Sequence, residues 1–336
     1  MILVTGGLGY IGSHTVIELL NSGYEVVVID NLSNSKKIIK EKIESITGKK
    51  FQCYLYDIRS QEDLDFIFNQ HKFDSVIHFA ALKSVNESIE RSVDYYENNI
   101  SGLINVLKCC EKYDVENFIF SSSCTVYGQP LVSVVTEETP IIKPTTPYGN
   151  SKKMGEEIIN DYVESTGGKA VLLRYFNPVG SHSSGLIGDD PNGTPNNLLP
   201  YLTRVVSGEL EELSVFGDDY DTIDGSCVRD YIHVVDLAIA HVKSIEYLNK
   251  SERDVSVPFN IGTGVGTSVL ELINSFEEAT GEKVKYKIVG RRNGDIECIY
   301  ADPTKANNEL GWKSTHNLSD MMESAWKYQL NKKKDI

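Results

Sequence analysis

The sequence predicts an α/β protein built on a doubly wound parallel sheet of the Rossmann type, with a smaller α/β lobe that binds substrate. Apolar runs typical of strands alternate with helical segments along the chain, and this alternation is characteristic of a parallel sheet covered by helices on both faces. A glycine-rich turn follows the first apolar run directly. Polar residues follow six of the runs, and sheets of this kind bind ligands beyond the carboxyl ends of their strands.

The apolar runs give the order of the predicted elements and the division of the chain. The predicted strands are 2–4, 25–30, 51–57, 74–80, 117–121, 170–176 and 258–261. We expect residues 1–177 to form the domain that binds a dinucleotide, with a return segment at about 227–262. From residue 178 the composition shifts to Gly, Pro, Asn and Asp, which predicts a smaller lobe made of 178–226 and 263–330. The last six residues, 331–336, are expected to be a frayed tail.

Composition excludes several classes of protein. The chain has 336 residues, of which 40% are hydrophobic and 24% charged, and its formal net charge is −15. So acidic a protein is not expected to bind nucleic acid or an anionic membrane surface. None of the six cysteines forms a Cys-x-x-Cys pair or stands near His at metal-ligand spacing, so we expect reduced thiols and no metal site. With no signal peptide and no membrane-spanning apolar run, the expected location is the cytoplasm.

The turn after the first strand indicates a dinucleotide site. Gly6, Gly9 and Gly12 separate the strand from a helix whose apolar residues begin at Ile11. Backbone N–H groups and the helix dipole converge at such a turn, and glycines allow a pyrophosphate to approach closely. The second strand ends on Asp30, 18 residues after Gly12. A carboxylate there accepts from a free ribose 2′-hydroxyl and repels a 2′-phosphate, so the predicted cofactor is NAD rather than NADP.

Three residues are the candidates for chemistry. Tyr148 and Lys152 are four residues apart in a segment that Pro144 and Pro147 predict to enter a helix, so both lie on one helix face. The ammonium, together with the positive nicotinamide of NAD⁺, is expected to lower the pKa of the phenol so that Tyr148 can act as a base. Of the serines 121–123 that end a strand, Ser123 is the one expected to share a proton with Tyr148. At least one of the three serines is expected only to cap the strand end.

Two arginines are the candidates for binding an anionic substrate. Arg229 and Arg292 are apt forks for a pyrophosphate in an otherwise acidic chain. Asp295 follows Gly294 and can accept from ribose hydroxyls. His14, His78 and His233 are expected to be packed structural histidines rather than catalysts.

A series of motifs, in order along the chain, resembles the UDP-glucose 4-epimerase family of the extended short-chain dehydrogenases/reductases. They run from residue 1 to about 330: TGGLGYIGSH (5–14), DNLSNS (30–35), HFAALK (78–83), YYENN (95–99), SSSCTVYG (121–128), PYGNSK (147–152), RYFNPVG (174–180), PNNL (195–198), VRDYIHV (228–234) and RRNGD (291–295). The resemblance implies inversion of C4 of a UDP-hexose, in galactose metabolism, through a 4-keto intermediate, with tightly bound NAD and a homodimer formed by helices near 88–113 and 149–166.

The resemblance also implies a role for each matching position. Tyr148 would be the acid/base, Ser123 would assist it, and Lys152 would in addition hold the nicotinamide ribose. NAD would be contacted, besides the glycine turn and these three residues, by Tyr10, Ile11, Asp30, Asn31, Leu32, Ser33, Asn34, Ser35, Asp57, Ile58, Phe79, Ala80, Ala81, Leu82, Lys83, Asn98 and Phe176. The UDP-sugar would be contacted by Lys83, Ser123, Tyr148, Asn177, Asn197, Leu198, Ser214, Val215, Phe216, Arg229, Arg292 and Asp295.

Two positions bear on the reaction and on substrate range. Related nucleotide-sugar 4,6-dehydratases carry Asp–Glu directly after the hydroxyl residue, and UDP-glucuronate decarboxylases keep a Glu there. This chain has Cys124–Thr125, so the reaction is expected to stop at the C4 ketone and its reversal. The family has a gate four residues after the RRxGD aspartate, where a bulky Tyr excludes N-acetylated sugars. Ile299 stands there, and its intermediate size favours acceptance of UDP-GlcNAc and UDP-GalNAc as well.

Three other functions remain open from the sequence. The chain could epimerise C4 of another UDP-sugar, such as UDP-xylose or UDP-glucuronate, although no extra cation awaits a C6 carboxylate. It could be an inactive dinucleotide sensor or scaffold, although Ser123, Tyr148 and Lys152 are all present. It could also be an ordinary dehydrogenase with an exchanging cofactor.

Overall fold

A seven-stranded parallel sheet forms the centre of the larger part of the molecule. The computed structural model describes residues 1–292 and 294–334. The strands of this sheet are β1 (Ile2–Thr5), β2 (Val26–Ile29), β3 (Gln52–Tyr54), β4 (Ser75–His78), β5 (Asn117–Ser123), β7 (Lys169–Tyr175) and β11 (Val255–Ile261). Their order is β11-β7-β5-β4-β1-β2-β3, and neighbouring strands are parallel. The predicted doubly wound sheet is confirmed, with strand ends shifted by a few residues.

Helices cover both faces of this sheet because successive strand residues point to opposite sides. Ile2 and Val4 pack into one apolar cluster with α1 (Tyr10–Asn21), α2 (Ile38–Thr47) and α9 (Val234–Leu248). Leu3, between them, packs into a second cluster on the other face. That face is covered by α3 (Gln61–Gln70), α6 (Gly102–Lys112) and α7 (Pro147–Thr166).

The segment expected as one helix near 88–113 is broken into shorter pieces. Helices α4 (Val85–Glu90) and α5 (Ser92–Tyr96) are followed by a π-helical turn, Glu97–Ser101, that leads into α6. In this turn the Asn99 side chain accepts from the backbone N–H of Leu82 at 2.8 Å and donates to the Ser151 hydroxyl at 3.0 Å. Single π turns are frequent at functional sites, and this one places Asn98 at the cleft described below.

The smaller lobe contains two further sheets and three helices. Its larger sheet has the order β12-β10-β14-β6, with β8 also paired to β10. These strands are β6 (Val134–Val135), β8 (Asn177–Val179), β10 (Val228–His233), β12 (Gly266–Ser268) and β14 (Cys298–Ala301). A two-stranded sheet joins β9 (Leu213–Phe216) to β13 (Tyr286–Val289). The helices α8 (Leu198–Val206), α10 (Val269–Thr280) and α11 (Leu318–Lys334) share the apolar core of this lobe.

Two expectations about the division of the chain need correction. The return to the main sheet does not begin at residue 227, because β10 pairs with strands of the smaller sheet and only α9 and β11 rejoin the larger one. Residues 331–334, predicted as part of a frayed tail, continue α11. Lys332 donates to Asp190 at 2.6 Å, which ties this end of the helix to the lobe. Residues 335–336 lie outside the described part of the chain.

No helix in the described residues combines the length and the apolar character needed to span a bilayer.

Candidate active site

The turn between β1 and α1 has no room for a side chain at Gly6 or Gly12. Gly6 has φ +69°, and a Cβ there would lie 2.8 Å from the backbone nitrogen of Ala80. A Cβ on Gly12 would lie 2.3 Å from the carbonyl oxygen of Gly6. The glycines therefore let the first turn of α1 fold back onto the strand, and the free N–H groups of that turn face the cleft. This is the surface that a pyrophosphate needs.

Asp30 stands beside this turn at the end of β2. One of its carboxylate oxygens accepts from the backbone N–H of Leu8 at 3.0 Å. The other accepts from the N–H of Leu32 at 2.9 Å and from the Ser35 hydroxyl at 2.6 Å. A carboxylate has about four acceptor positions, so one remains for a ribose hydroxyl. The negative charge, fixed in place by three donors, disfavours a 2′-phosphate.

A cleft of about 490 Å³ runs from the glycine turn across the ends of the strands. Most of the residues predicted for the cofactor line it, and they are Gly6, Gly9, Tyr10, Ile11, Gly12, Asp30, Asn31, Ser33, Asn34, Ser35, Ile58, Phe79, Ala80, Ala81, Leu82, Lys83, Asn98, Ser123, Tyr148, Lys152 and Phe176. Two others do not line it. Leu32 packs against the apolar cluster of α1, and Asp57 is held by Arg59 at 3.0 and 2.8 Å. Asp57 accepts from the side chain of Asn31 at 2.9 Å, so it reaches the cleft through that residue.

Ser123, Tyr148 and Lys152 meet in the middle of the cleft. Strand β5 ends at Ser123, whose hydroxyl accepts from the N–H of Thr125 at 3.2 Å. Helix α7 starts at Pro147, capped by the side chain of Thr146, and its first turns carry the other two residues. Lys152 Nζ lies 5.9 Å from the centre of the Tyr148 ring and donates to the carbonyl oxygen of Ser121 at 2.5 Å. The predicted catalytic side chains are thus brought together.

The electrostatics of these groups differ from the expectation. Burial raises the pKa of Tyr148 to about 12, and hydrogen bonding with Ser123 opposes this rise. Burial lowers the pKa of Lys152 to about 7, while the charge of Glu156 opposes that fall. The chain by itself therefore does not lower the pKa of the phenol, because desolvation outweighs the hydrogen bond with Ser123.

A buried ion pair supports this group from behind. Glu156 lies four residues after Lys152 on α7, and its carboxylate is bound by Arg174 of β7 at 3.0 and 2.7 Å. The Ser122 hydroxyl donates to the same carboxylate at 2.5 Å. Arg174 also donates to the hydroxyl of Tyr127 at 3.0 Å. The pair therefore ties the end of β5, where Ser121 and Ser123 act, to the helix that carries Lys152.

The position after Ser123 carries neither an acid nor a base. Burial raises the pKa of the Cys124 thiol to about 12, so it stays protonated at neutral pH. Thr125 has a hydroxyl of no acid–base use near pH 7. No carboxylate occupies the two positions that supply acid and base in the related dehydratases.

Residues predicted for the UDP-sugar occupy two places. Asn177 and Asn197 line the cleft, and Leu198 begins α8 beside the core of the lobe. Elsewhere, Arg292 binds Asp295 at 3.1 and 2.6 Å, and Arg229 lies 3.9 Å from the same carboxylate. The guanidinium of Arg292 lies 5.4 Å from the centre of the Phe216 ring. Two arginines facing one aspartate leave a net positive charge for an anionic ligand.

Strand β9 separates the three residues predicted together at 214–216. Its side chains alternate, so Val215 points into the core of the lobe and is 1% exposed, whereas Ser214 and Phe216 lie on the other face. Only the backbone of Val215 is left for a ligand. Ile299 of β14 is 3% exposed and packs in a small cluster with Phe176 of the cleft wall.

The histidines are engaged in packing. His233 caps α9 by accepting from the N–H of Val235 at 3.1 Å, and it stacks on His316 with ring centres 4.1 Å apart. His78 is hydrogen-bonded to Thr5 at 2.9 Å, and His14 to the carbonyl oxygen of Tyr10 at 2.7 Å. Within residues 1–292 and 294–334, no three His, Cys, Asp or Glu side chains are grouped so as to hold a metal ion.

Sequence reasoning missed several residues that line the cleft. They include Lys36, Tyr175, Asp189, Asp190, Tyr328 and Lys332. The composition of 178–226 predicted loops, but it did not indicate that residues 188–191 line the cleft. Lys332 belonged to the segment expected to fray, and only the packing of α11 brings it there.

The comparisons with known proteins agree with this geometry. Residues 3–325 match the family described as GDP-mannose 4,6 dehydratase. A UDP-glucose 4-epimerase from Bacillus subtilis (strain 168) is 50% identical over 330 residues, which cover 98% of this chain and 96% of that protein.

Two solved structures are similar over nearly the whole chain. The UDP-glucose 4-epimerase of Bifidobacterium longum, in complex with NAD⁺ and UDP, is 48% identical, with a TM-score of 0.95, and the match covers 100% of this chain and 99% of that one. The UDP-glucose-4-epimerase of Stenotrophomonas maltophila, with bound NAD and formylated UDP-arabinopyranose, is 45% identical, with a TM-score of 0.97 and the same coverage. Cys124–Thr125 stands where the related nucleotide-sugar 4,6-dehydratases carry Asp–Glu. The chain belongs to the UDP-glucose 4-epimerase family of the extended short-chain dehydrogenases/reductases.

Proposed function

We propose that the protein catalyses the reversible C4 epimerisation of UDP-glucose and UDP-galactose with NAD held in the cleft. The observation that carries this proposal is the meeting of Ser123, Tyr148 and Lys152 in a cleft that begins at the glycine turn. The activity and the ligands of the similar proteins support it. So does the absence of a carboxylate at positions 124 and 125, because dehydration needs an acid and a base there.

The chain's own residues fit a dinucleotide. The turn at Gly6–Gly12 packs so closely that a Cβ at Gly6 or Gly12 would clash with backbone atoms, and Asp30 suits the adenosine ribose. Lys152 and Phe176 also line the cleft, where they would hold the nicotinamide ribose and ring. When bound, oxidised NAD supplies the hydride acceptor for C4 of the sugar and a positive charge that favours the Tyr148 phenolate.

Tyr148 moves the proton. It takes the proton of the sugar 4-hydroxyl as the 4-keto sugar forms, and returns it when the opposite face of that ketone is reduced. The hydroxyl of Ser123 bridges the sugar oxygen and the phenol. Because burial alone raises the pKa of Tyr148 to about 12, the phenol is protonated in the chain by itself. It would release that proton to solvent once a positive charge is bound beside it, and the resulting phenolate can then accept the proton of the 4-hydroxyl.

Inversion requires a firm hold on UDP and a loose one on the hexose. Arg229 and Arg292, with one net positive charge after Asp295 is counted, provide the remote anchor for the diphosphate. Binding energy placed away from C4 keeps the 4-keto sugar from leaving while it turns over. No carboxylate follows Ser123 to act on C5 or C6.

The test is interconversion without added cofactor. Purified protein is incubated with UDP-galactose in the absence of added NAD, and the sugar nucleotides are separated by chromatography. We expect UDP-glucose to appear until an equilibrium mixture is reached, and the Tyr148→Phe variant to form almost none. A dehydrated or decarboxylated product, or turnover that needs stoichiometric NAD, would refute the proposal.

We propose that the enzyme also accepts N-acetylated UDP-sugars because Ile299 is smaller than tyrosine. This side chain packs beside Phe176 and Cys124, which line the cleft. Its size therefore affects how much space the wall of the cleft leaves for an N-acetyl group on the sugar. We expect wild-type protein to convert UDP-GlcNAc into UDP-GalNAc. The Ile299→Tyr variant is expected to lose this activity but keep the reaction of UDP-glucose. Lack of any turnover of UDP-GlcNAc at high enzyme concentration would contradict the proposal.

A homodimer is the proposed assembly. Ile89 of α4 and Val93 of α5 are 62% and 75% exposed, four residues apart and next to α7, which is typical of an interface. Light scattering is expected to give twice the chain mass for wild type and a smaller mass for Val93→Glu. Val265→Glu, at an exposed position in the smaller lobe, is the control. A monomeric wild type would exclude the dimer.

The cytosol is the proposed location. All six cysteines are free thiols, which fits a reducing compartment.

A further inference from the structure

Residues 188–197, which we call the strap, connect the smaller lobe to both walls of the cleft. Gly188, Asp189, Asp190, Pro191 and Asn197 line the cleft. The strap carries Gly, Pro, Asn and Asp in place of the regular periodicity of a helix or strand. Its contacts with the rest of the chain therefore decide where it lies.

One wall is the loop after β2, on the side of Asp30. The side chain of Asn192 donates to the carbonyl oxygen of Ser33 at 3.2 Å, and its backbone N–H donates to the side chain of Asn34 at 3.3 Å. Lys36 of the same loop forms an ion pair with Asp190. The strap is thus bound to the loop predicted to hold the adenosine ribose.

The opposite wall is the segment after β4. Lys83 Nζ lies 3.7 Å from the carboxylate of Asp189. The side chain of Asn196 donates to the Ser84 hydroxyl at 3.2 Å. With contacts on both walls, the strap crosses the opening of the cleft rather than lying along one side.

Asp190 joins the strap to three elements. Besides Lys36, its carboxylate accepts from Arg204 of α8 at 3.0 Å and from Lys332 of α11 at 2.6 Å. The Asp190, Arg204 and Lys332 side chains are only 13–19% exposed, so solvent screens their attraction less than that of a surface pair. Arg204 also donates to the carbonyl oxygens of Pro191 and Gly193 at 3.1 and 2.7 Å. Lys36, half exposed, is the one member of this group that comes from the dinucleotide domain.

We propose that the strap is the retaining wall of the dinucleotide site, and that Asp190 holds it closed over the bound cofactor by joining α8 and α11 to Lys36. This inference rests on the proposed function, since it takes the ligand of the cleft to be NAD. The cofactor leaves only when the contacts of Asp190 and Asn192 with the loop 33–36 are broken. The strap thereby explains how a cofactor that is regenerated in each cycle stays with its enzyme.

The direction in which Asp190→Asn changes the rate of NAD release distinguishes this role from a direct electrostatic effect of Asp190 on the ligand. Asp190 lines the cleft and carries a negative charge toward a ligand with an anionic pyrophosphate. If Asp190 acted only through that charge, Asp190→Asn would reduce repulsion and slow the release of NAD. If it holds the strap, the same change breaks charge-assisted hydrogen bonds and speeds the release.

The experiment measures release of NAD rather than activity. Protein purified with its cofactor is mixed with excess isotopically labelled NAD. At intervals the protein is separated from free NAD and denatured, and mass spectrometry measures the labelled fraction of the NAD that it releases. We expect Asp190→Asn to exchange about ten- to a hundredfold faster than wild type, the effect of losing charge-assisted hydrogen bonds. Asn192→Ala, which does not touch the cleft, is expected to exchange severalfold faster. Higher salt is expected to speed exchange from wild type more than from Asp190→Asn.

The control is Asp65→Asn, which removes an ion pair with Lys112 that lies outside the cleft. Its exchange rate is expected to match that of wild type. Slower or unchanged exchange in Asp190→Asn, together with unchanged exchange in Asn192→Ala, would overturn the role of the strap while leaving the proposed function intact. A wild-type protein that takes up no NAD would instead overturn the proposed function, and this inference with it.

Discussion

Tyr148 is the residue on which the proposed chemistry depends most directly. Its phenol is buried next to Ser123, and Lys152, Cys124 and Tyr175 are further titratable groups that line the cleft. Lys152 has a pKa of about 7 and faces the carbonyl oxygen of Ser121. In the proposed mechanism the two residues have separate tasks, which are proton transfer for the phenol and ribose binding for the lysine.

Replacing Tyr148 by Phe is expected to lower kcat for UDP-galactose by about 10²- to 10⁴-fold, the usual contribution of a positioned acid–base group. The content of bound NAD, measured by absorbance and chromatography, should stay unchanged because the ring still fills its place. Tyr162→Phe, a half-buried tyrosine later on the same helix, is the matched control. Equal losses in both variants would show that the defect is structural.

The buried pair of Glu156 and Arg174 is a residue-scale feature with a large expected effect on stability. Both side chains are 5% exposed. Glu156→Gln leaves the guanidinium unpaired and is expected to lower the free energy of unfolding by about 3–5 kcal/mol. Its neighbour Glu157 forms an exposed pair with Lys153 at 3.1 Å, and Glu157→Gln should cost at most about 0.5 kcal/mol. Urea denaturation measures both, and similar values would contradict the assigned burial.

At the scale of elements, the β1–α1 turn is the part least able to accept change. Gly12→Ala would place a Cβ 2.3 Å from a backbone oxygen, so either the helix or the strand must move. The backbone N–H groups of the turn would then no longer point toward one place in the cleft. We expect purified Gly12→Ala to contain little NAD, as measured after denaturation. Gly9→Ala, where the nearest atom is 3.2 Å away, is expected to lose less. Gly168→Ala, outside the cleft, should bind normally, and a full complement of NAD in Gly12→Ala would refute this view of the turn.

The elements also show what the sequence can and cannot predict. The seven strands of the main sheet were predicted because runs such as Val26–Ile29 are buried on both faces and read as uninterrupted apolar segments. Strands β6, β8 and β12 have only two or three residues, too few for any periodicity to be visible. The break between α4 and α5 at Arg91 and the later π turn accompany the tertiary contacts of Asn99 with Leu82 and Ser151. No local sequence pattern predicts such contacts.

The candidate site divides in the same way. Gly6–Gly12, Asp30, Ser123, Tyr148 and Lys152 were predictable because each chemistry requires a residue type at a fixed distance from a strand end or along a helix. The strap was not, because Asn192 and Ser33 are 159 positions apart and nothing in either segment indicates the other. The inward turn of Val215 escaped prediction because the resemblance assigns positions and not the face of a strand.

At the scale of the whole molecule, four buried histidines predict how stability responds to acid. Burial lowers the pKa of His14, His78 and His241 to about 3 each and that of His233 to about 4, from an ordinary value near 6.5. The unfolded chain therefore binds more protons than the folded one in this range, and stability is lost as the pH falls from about 6.5 toward 3.

Calorimetry between pH 7.5 and 4.5 is expected to show a steadily falling unfolding temperature. His241→Gln, which has no proton to gain, should show a shallower fall, since one of the four contributions is removed. His71→Gln, at a partly exposed histidine whose pKa burial lowers less, should follow the wild-type slope closely. An unfolding temperature that is constant over this range would contradict the assigned burial of the four rings.

The position of β11 at the edge of the main sheet has a consequence for how the protein is made. Strand β7 is flanked by β5 and β11, but β11 is the last of the seven to leave the ribosome. At roughly 5–20 residues per second, the open side of β7 waits several seconds for its neighbour, with β8, the strap and α9 emerging in between. A nascent chain that stops before residue 255 would present a bare, apolar strand to other polypeptides, so chaperone occupancy during synthesis should be greatest in that interval.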